Sequence, residues 1–259
     1  MFGKILGSGQ LGKLASFVSP AFFDVLPARQ LFRRAKQLVG QSRDPALFRK
    51  VVSERAALLE ATMPQISLST QTSAASSGLL NDGPVTGWRS AQIAELYFRQ
   101  LYSDSPTLLD LRAAAFSTRA QDALVWSPAP WIAEWSADFI QPLREIYSGF
   151  YTHDDTRFRQ GLAALSLSHS EDLFREQFGA DQKQVAFEVR AFIDVFHRVF
   201  ERCKSAKTHL HPDFLPLGIY LAALYDHEQE LAVKVDVASA FARATSRCEH
   251  DVNAGTGAV

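Results

Sequence analysis

The residues of this chain that could do chemistry fall in three places. Near the start, Gly7-Ser8-Gly9-Gln10-Leu11-Gly12-Lys13 combines glycines and a lysine in the spacing G-x-G-x-x-G. Glycines there would let the backbone approach a phosphate, and a helix N-terminus would hold it. Gly7, Gly9, Gly12 and Lys13 are therefore the candidate cofactor-binding residues. Further on, Asp194 and His197 stand three apart, one helical face. His209, His211, Asp213, Asp226, His227 and Glu228 follow on the next element. Carboxylates mixed with imidazoles suit zinc or iron, so Asp194, His197, His211 and His227 are the candidate metal ligands. Between these, Trp126, Trp131 and Trp135 surround the turn Ser127-Pro128-Ala129-Pro130 and could line an apolar pocket.

Each pattern meets an objection. The glycine motif resembles the opening of dinucleotide-fold and ATP-grasp enzymes, which implies a strand before it, a βαβ unit and an acid on the ribose. The residues that follow read as helices instead. As a phosphate-binding loop it places Leu14 where Ser or Thr must meet magnesium. His153-Asp154-Asp155 resembles the metal pair of HD-type phosphohydrolases, but those take a further histidine upstream, and all seven histidines here stand at 153 or later. Acids in a helix's first turn explain the pair without a metal. A di-iron bundle takes Glu-x-x-His pairs, and Asp194-x-x-His197 is a single, shorter variant. There is no G-x-S-x-G nucleophile elbow. Residues 143–235 resemble, in general pattern, the helical C-terminal tail of UbiB-type atypical kinases through GFYTHDDTRFRQGL and HPDFLPLGIYLAALYDH; no kinase core motif accompanies them. No cofactor and no metal are expected, and no catalytic residue is assigned.

The elements that must position these residues read as helices. Gln184–Arg202 has the widest apolar stripe, with Val185, Val189, Phe192, Phe196 and Val199 at helical spacing. It is expected to be the central strut, with Phe196 fully buried. Ala28–Val39 reads as a helix ended near Gly40, and Asp44-Pro45 as the start of the next. The expected fold is all-α: an irregular multi-helix bundle with a basic N-terminal helical arm. Its parts would be the arm over 1–63, a Ser/Thr/Gly-rich linker over 64–87, the bundle over 88–248 and a disordered tail over 249–259. Ala232–Val237 alternates like a strand, but without a partner strand in view it is assigned to the last helix.

Composition narrows function further. Net charge is −1, so the chain as a whole carries no footprint for nucleic acid. Two cysteines, Cys203 and Cys248, make no disulfide framework and point to a reducing compartment. Residues 1–55 hold ten Lys or Arg against three acids. That asymmetry, with Lys4, Lys13, Arg29, Arg33, Arg34 and Lys36 beside apolar residues, suggests docking on something anionic. The expected function is a cytoplasmic interaction or adaptor protein that contacts an anionic membrane surface, or an acidic protein partner, through residues 1–55. The alternative is a helical enzyme or carrier with a pocket near the tryptophans and the 194–228 cluster.

Overall fold

The computed structural model describes residues 25–70, 83–120, 122–180 and 182–246. Among the described residues there are nine α-helices: α1 (Ala28–Ser42), α2 (Pro45–Thr62), α3 (Gly83–Leu101), α4 (Ala137–Tyr151), α5 (Asp155–Ala164), α6 (Glu171–Gln177), α7 (Val189–Ser205), α8 (Phe214–Leu231) and α9 (Val237–Thr245). The glycine motif at 7–13, most of the basic arm's first half and the tail at 249–259 lie outside the described residues.

The protein is mostly helical but not all-α. Short strands β1 (Ile66–Leu68), β2 (Thr107–Leu108), β3 (Phe116–Ala120), β4 (Ala123–Trp126), β5 (Ile132–Ala133), β6 (Val185–Ala186) and β7 (Lys234–Val235) form three small sheets. β1 runs parallel to β4, which pairs antiparallel with β3; β2 pairs with β5 and β6 with β7, both antiparallel. Strands of two to five residues are too brief to show a two-residue period in sequence. β1 lies inside the stretch expected to be linker, and Ile66 is buried there. The alternating segment after α8 did have a partner: Val185 pairs with Val235 and Ala186 with Lys234.

The strut of the fold is a helix pair, not the 184–202 stretch. Every residue of α3 from Gln92 to Leu101 is buried, as are twelve residues of α8. α7 starts only at Val189 and is amphipathic, with Arg190, Asp194, Arg198 and Glu201 open to solvent. Phe196, expected to be fully buried, is half-buried at its edge. The error has a physical origin. α3 carries Arg89, Ser90, Gln92, Glu95, Arg99 and Gln100 on its buried part, and a periodicity reading counts such residues as surface.

Helices α4 and α5 pack backbone to backbone. A Cβ on Gly161 would come within 2.7 Å of the Pro142 carbonyl oxygen, so no larger residue fits that approach. One apolar core runs continuously from Val25 to Ala244.

Candidate functional site

Helix α1 is set by its two ends. The Pro27 carbonyl accepts the amides of Gln30 and Leu31. After the helix, the Asp44 carboxylate caps α2 by accepting the Ala46 and Leu47 amides at 2.9 and 3.0 Å. Leu31, Arg34, Ala35 and Leu38 form the inward stripe. The opposite face carries Arg29, Phe32, Arg33 and Lys36, all exposed. Phe32 is 55% exposed and is the one exposed large apolar side chain among the described residues. Arg29, Arg33 and Lys36 face no acid within pairing distance among the described residues. Arg43, Arg49 and Lys50 extend the basic surface over the turn and α2. Nearby, Asp44 is occupied as a cap and Glu54 lies 3.9 Å from Lys50.

Two arginines counted with the arm turn the other way. Arg34 is buried; its Nε lies 2.6 Å from Asp213 Oδ1, and its Nη2 donates to the Glu134 carbonyl at 2.7 Å. Asp213 also accepts the Ser136 amide and hydroxyl. Arg55 is buried and donates to the Pro106 carbonyl at 2.7 Å; burial lowers its pKa to about 10. The described half of the expected arm is thus docked on the body by two inward guanidiniums, and Arg34 does not belong to the basic surface.

The structure separates the expected metal ligands. Asp194 and His197 are exposed on α7, and His209 is exposed beyond it. His211 stands beside Asp138, its Nδ1 accepting the Asp213 amide. His227 is fully buried in α8. No three His, Cys, Asp or Glu side chains gather as a metal site among the described residues. Asp154 caps α5 by accepting the Arg157 amide, and Asp155 pairs with Arg175 at 2.8 Å. Two of the three tryptophans make hydrogen bonds with their indole N–H groups. Trp126 is buried and donates to the Asp110 carbonyl at 2.8 Å; Trp135 donates to the Thr107 hydroxyl at 2.7 Å. A cleft of about 410 Å³ does lie over Ser127–Pro130, bounded by the Asp110–Arg112 ion pair. Cys203 is buried, and burial raises its thiol pKa.

Sequence reasoning missed two interior constellations. In the first, Arg89 Nε donates to His227 Nε2 at 3.0 Å, and His227 Nδ1 meets the Leu111 carbonyl at 2.7 Å. That carbonyl only accepts, so Nδ1 carries the proton and the ring is neutral. Burial, then the Arg89 charge, lower the His227 pKa to about 3. Next to it, Glu228 hydrogen-bonds the Ser90 hydroxyl, and burial raises its pKa to about 8. Both side chains are sealed from solvent, so this quartet is an interior fixture joining α3 to α8. The second is a cavity walled by aromatic rings between α3, α4, α6, α7 and α8. No tryptophan lines it. Its signal in sequence was the number of Phe and Tyr, 19 and 6, which says rings are plentiful but not where they leave space.

No protein-family profile matches the chain, and no curated protein matches it in sequence.

Proposed function

We propose that this protein is a peripheral interaction protein that docks on an anionic membrane surface through the outer face of α1. The observation that carries the reading is Phe32, exposed between Arg29, Arg33 and Lys36 on one helical face. A cationic face with an apolar anchor suits the headgroup region of an anionic bilayer. Each basic residue near such a surface contributes about 1 kcal/mol, screened by salt, and burying the ring adds roughly 1.5–3 kcal/mol. The contact is therefore weak, reversible and salt-sensitive. Among the described residues no helix is long and apolar enough to cross a membrane. Lys4 and Lys13 stand upstream in the same basic stretch of sequence.

Co-sedimentation with phosphatidylserine-containing and with pure phosphatidylcholine vesicles, at low and high salt, tests this. Binding to the anionic vesicles only, lost at high salt, is expected. Arg33→Glu and Phe32→Ala should each weaken it at least about five-fold, the factor for roughly 1 kcal/mol. Equal binding to both vesicle types, or to neither, would overturn the membrane reading; binding to neither leaves an acidic protein groove as the surface this face would fit.

A further inference from the structure

The buried arginines of this protein are not alike. Arg34 meets Asp213 at 2.6 Å and Arg99 meets Glu95 at 2.7 Å. Arg55 is 1% exposed, yet among the described residues no carboxylate lies within pairing distance of it. Its Nη2 donates to the Pro106 carbonyl at 2.7 Å and reaches the Ser105 carbonyl at 3.3 Å. Its Nε and Nη1 have no partner. A guanidinium stays charged in proteins. Burying such a charge without an anion destabilises the state that holds it.

Arg55 belongs to a segment fastened at both ends. Before α1, the Val25 carbonyl accepts the Leu210 amide at 3.0 Å. After α2, Ile66 pairs with Leu124 in the sheet. Between these points Leu31, Leu38, Val51, Val52 and Leu59 seat the two helices on the body. The inner face thus mixes apolar side chains with Arg34 and Arg55. An apolar stripe flanked by cations is also what the headgroup boundary of an anionic bilayer accepts. The apolar residues would exchange one apolar surrounding for another. Arg55 would gain, because lipid phosphates supply the anion that the interior lacks.

We propose that α1 and α2 form a strap that swings off the body at an anionic membrane, where Arg55 takes a lipid phosphate as its counter-ion. This rests on the membrane reading above and adds to it: the outer face of α1 makes first contact, and the inner face follows. Arg55, sealed while the strap is seated, is then a membrane-binding residue.

The test compares the full wild-type chain with Arg55→Met and Arg55→Gln, the second keeping a donor for the Pro106 carbonyl. Each is co-sedimented with phosphatidylserine-containing vesicles at low salt and unfolded in urea. Contact through the outer face alone would not sense the loss of a sealed side chain. If the strap swings out, losing the charge relieves the seated state and removes a phosphate contact from the bound one. Both variants should therefore bind the vesicles at least about ten-fold more weakly, beyond the roughly five-fold of one surface charge. Neither should unfold at lower urea than the wild type. Wild-type binding with unchanged affinity in both variants overturns the strap and leaves the outer-face reading standing. No wild-type binding overturns both. A lower urea midpoint in both variants also overturns the strap, because the guanidinium would then secure the seat rather than weaken it.

Discussion

Two carboxylates are buried against the same helix, and they are handled in opposite ways. Glu95 on α3 accepts Nε and Nη2 of Arg99 on one oxygen, at 2.9 and 2.7 Å, and Nε of Arg243 from α9 on the other at 2.7 Å. It is a carboxylate gripped by two guanidiniums. Glu228 on α8 has one hydroxyl, Ser90, and a single cation nearby, Arg89, whose Nε is already given to His227. Its Oε1 has no partner. Burial dominates, and the group holds its proton up to about pH 8. The comparison shows that burial alone does not decide the charge of an interior acid. The number of fixed N–H donors aimed at it does.

The strongest test of the difference is to remove the acid from the clamp. Glu95→Ala leaves Arg99, itself 8% exposed, as an uncompensated interior charge. It should cost about 3–5 kcal/mol in a urea titration. A loss below about 1 kcal/mol would mean that water reaches Arg99.

The neutral acid is tested by pH. Glu228 rises from 4.5 to about 8 on folding, so its stabilisation is complete below pH 4.5 and is lost as pH climbs through about 8. His227 falls from 6.5 to about 3, so its contribution is present above pH 6.5 and lost as pH falls through about 3. Between 4.5 and 6.5 the two slopes oppose each other, and this pair contributes a plateau. Above 6.5 only Glu228 still titrates, and stability should decline by about 2 kcal/mol by pH 8. Glu228→Gln should flatten that alkaline decline in denaturant titrations run from pH 6 to 9. An unchanged decline would reassign it to another group.

Ser90→Ala sharpens the same comparison at smaller cost, about 1 kcal/mol. The Ser90 hydroxyl lowers the Glu228 pKa, so its removal should carry the alkaline decline to higher pH. A decline moved to lower pH would show that the hydroxyl serves the protonated form instead. The smallest effect is expected at the open end of the clamp. The Arg243 side chain is 46% exposed, and Arg243→Ala should cost under about 1 kcal/mol in the same titration, as exposed ion pairs do.

Local chemistry was legible in the sequence because it depends on neighbours along the chain. Asp44-Pro45 announced the start of α2, since a short acid side chain reaches amides two and three residues on. The helical stripe through Leu31, Ala35 and Leu38 announced the inner face of α1, but Phe32, read as part of that face, is exposed, and Arg34, read as outward, is buried. The mostly helical character followed from such stripes. What depended on distant pairing was not legible. The strand at Val185–Ala186 exists because Lys234–Val235 lies beside it. Arg34 leaves the basic surface because Asp213 waits inside, 2.6 Å away. His211 and His227 looked like neighbours in one cluster, yet one stands by Asp138 near the helix entry and the other is sealed against Arg89. The sequence by itself determined where α2 begins, most of the apolar stripe of α1 and where positive charge accumulates, since these are set within a few residues. Only the tertiary structure decided which polar side chains go inside. An arginine, a glutamate or a histidine is tolerated in a core only when a partner from another element meets it there, and a one-dimensional pattern carries no record of that meeting.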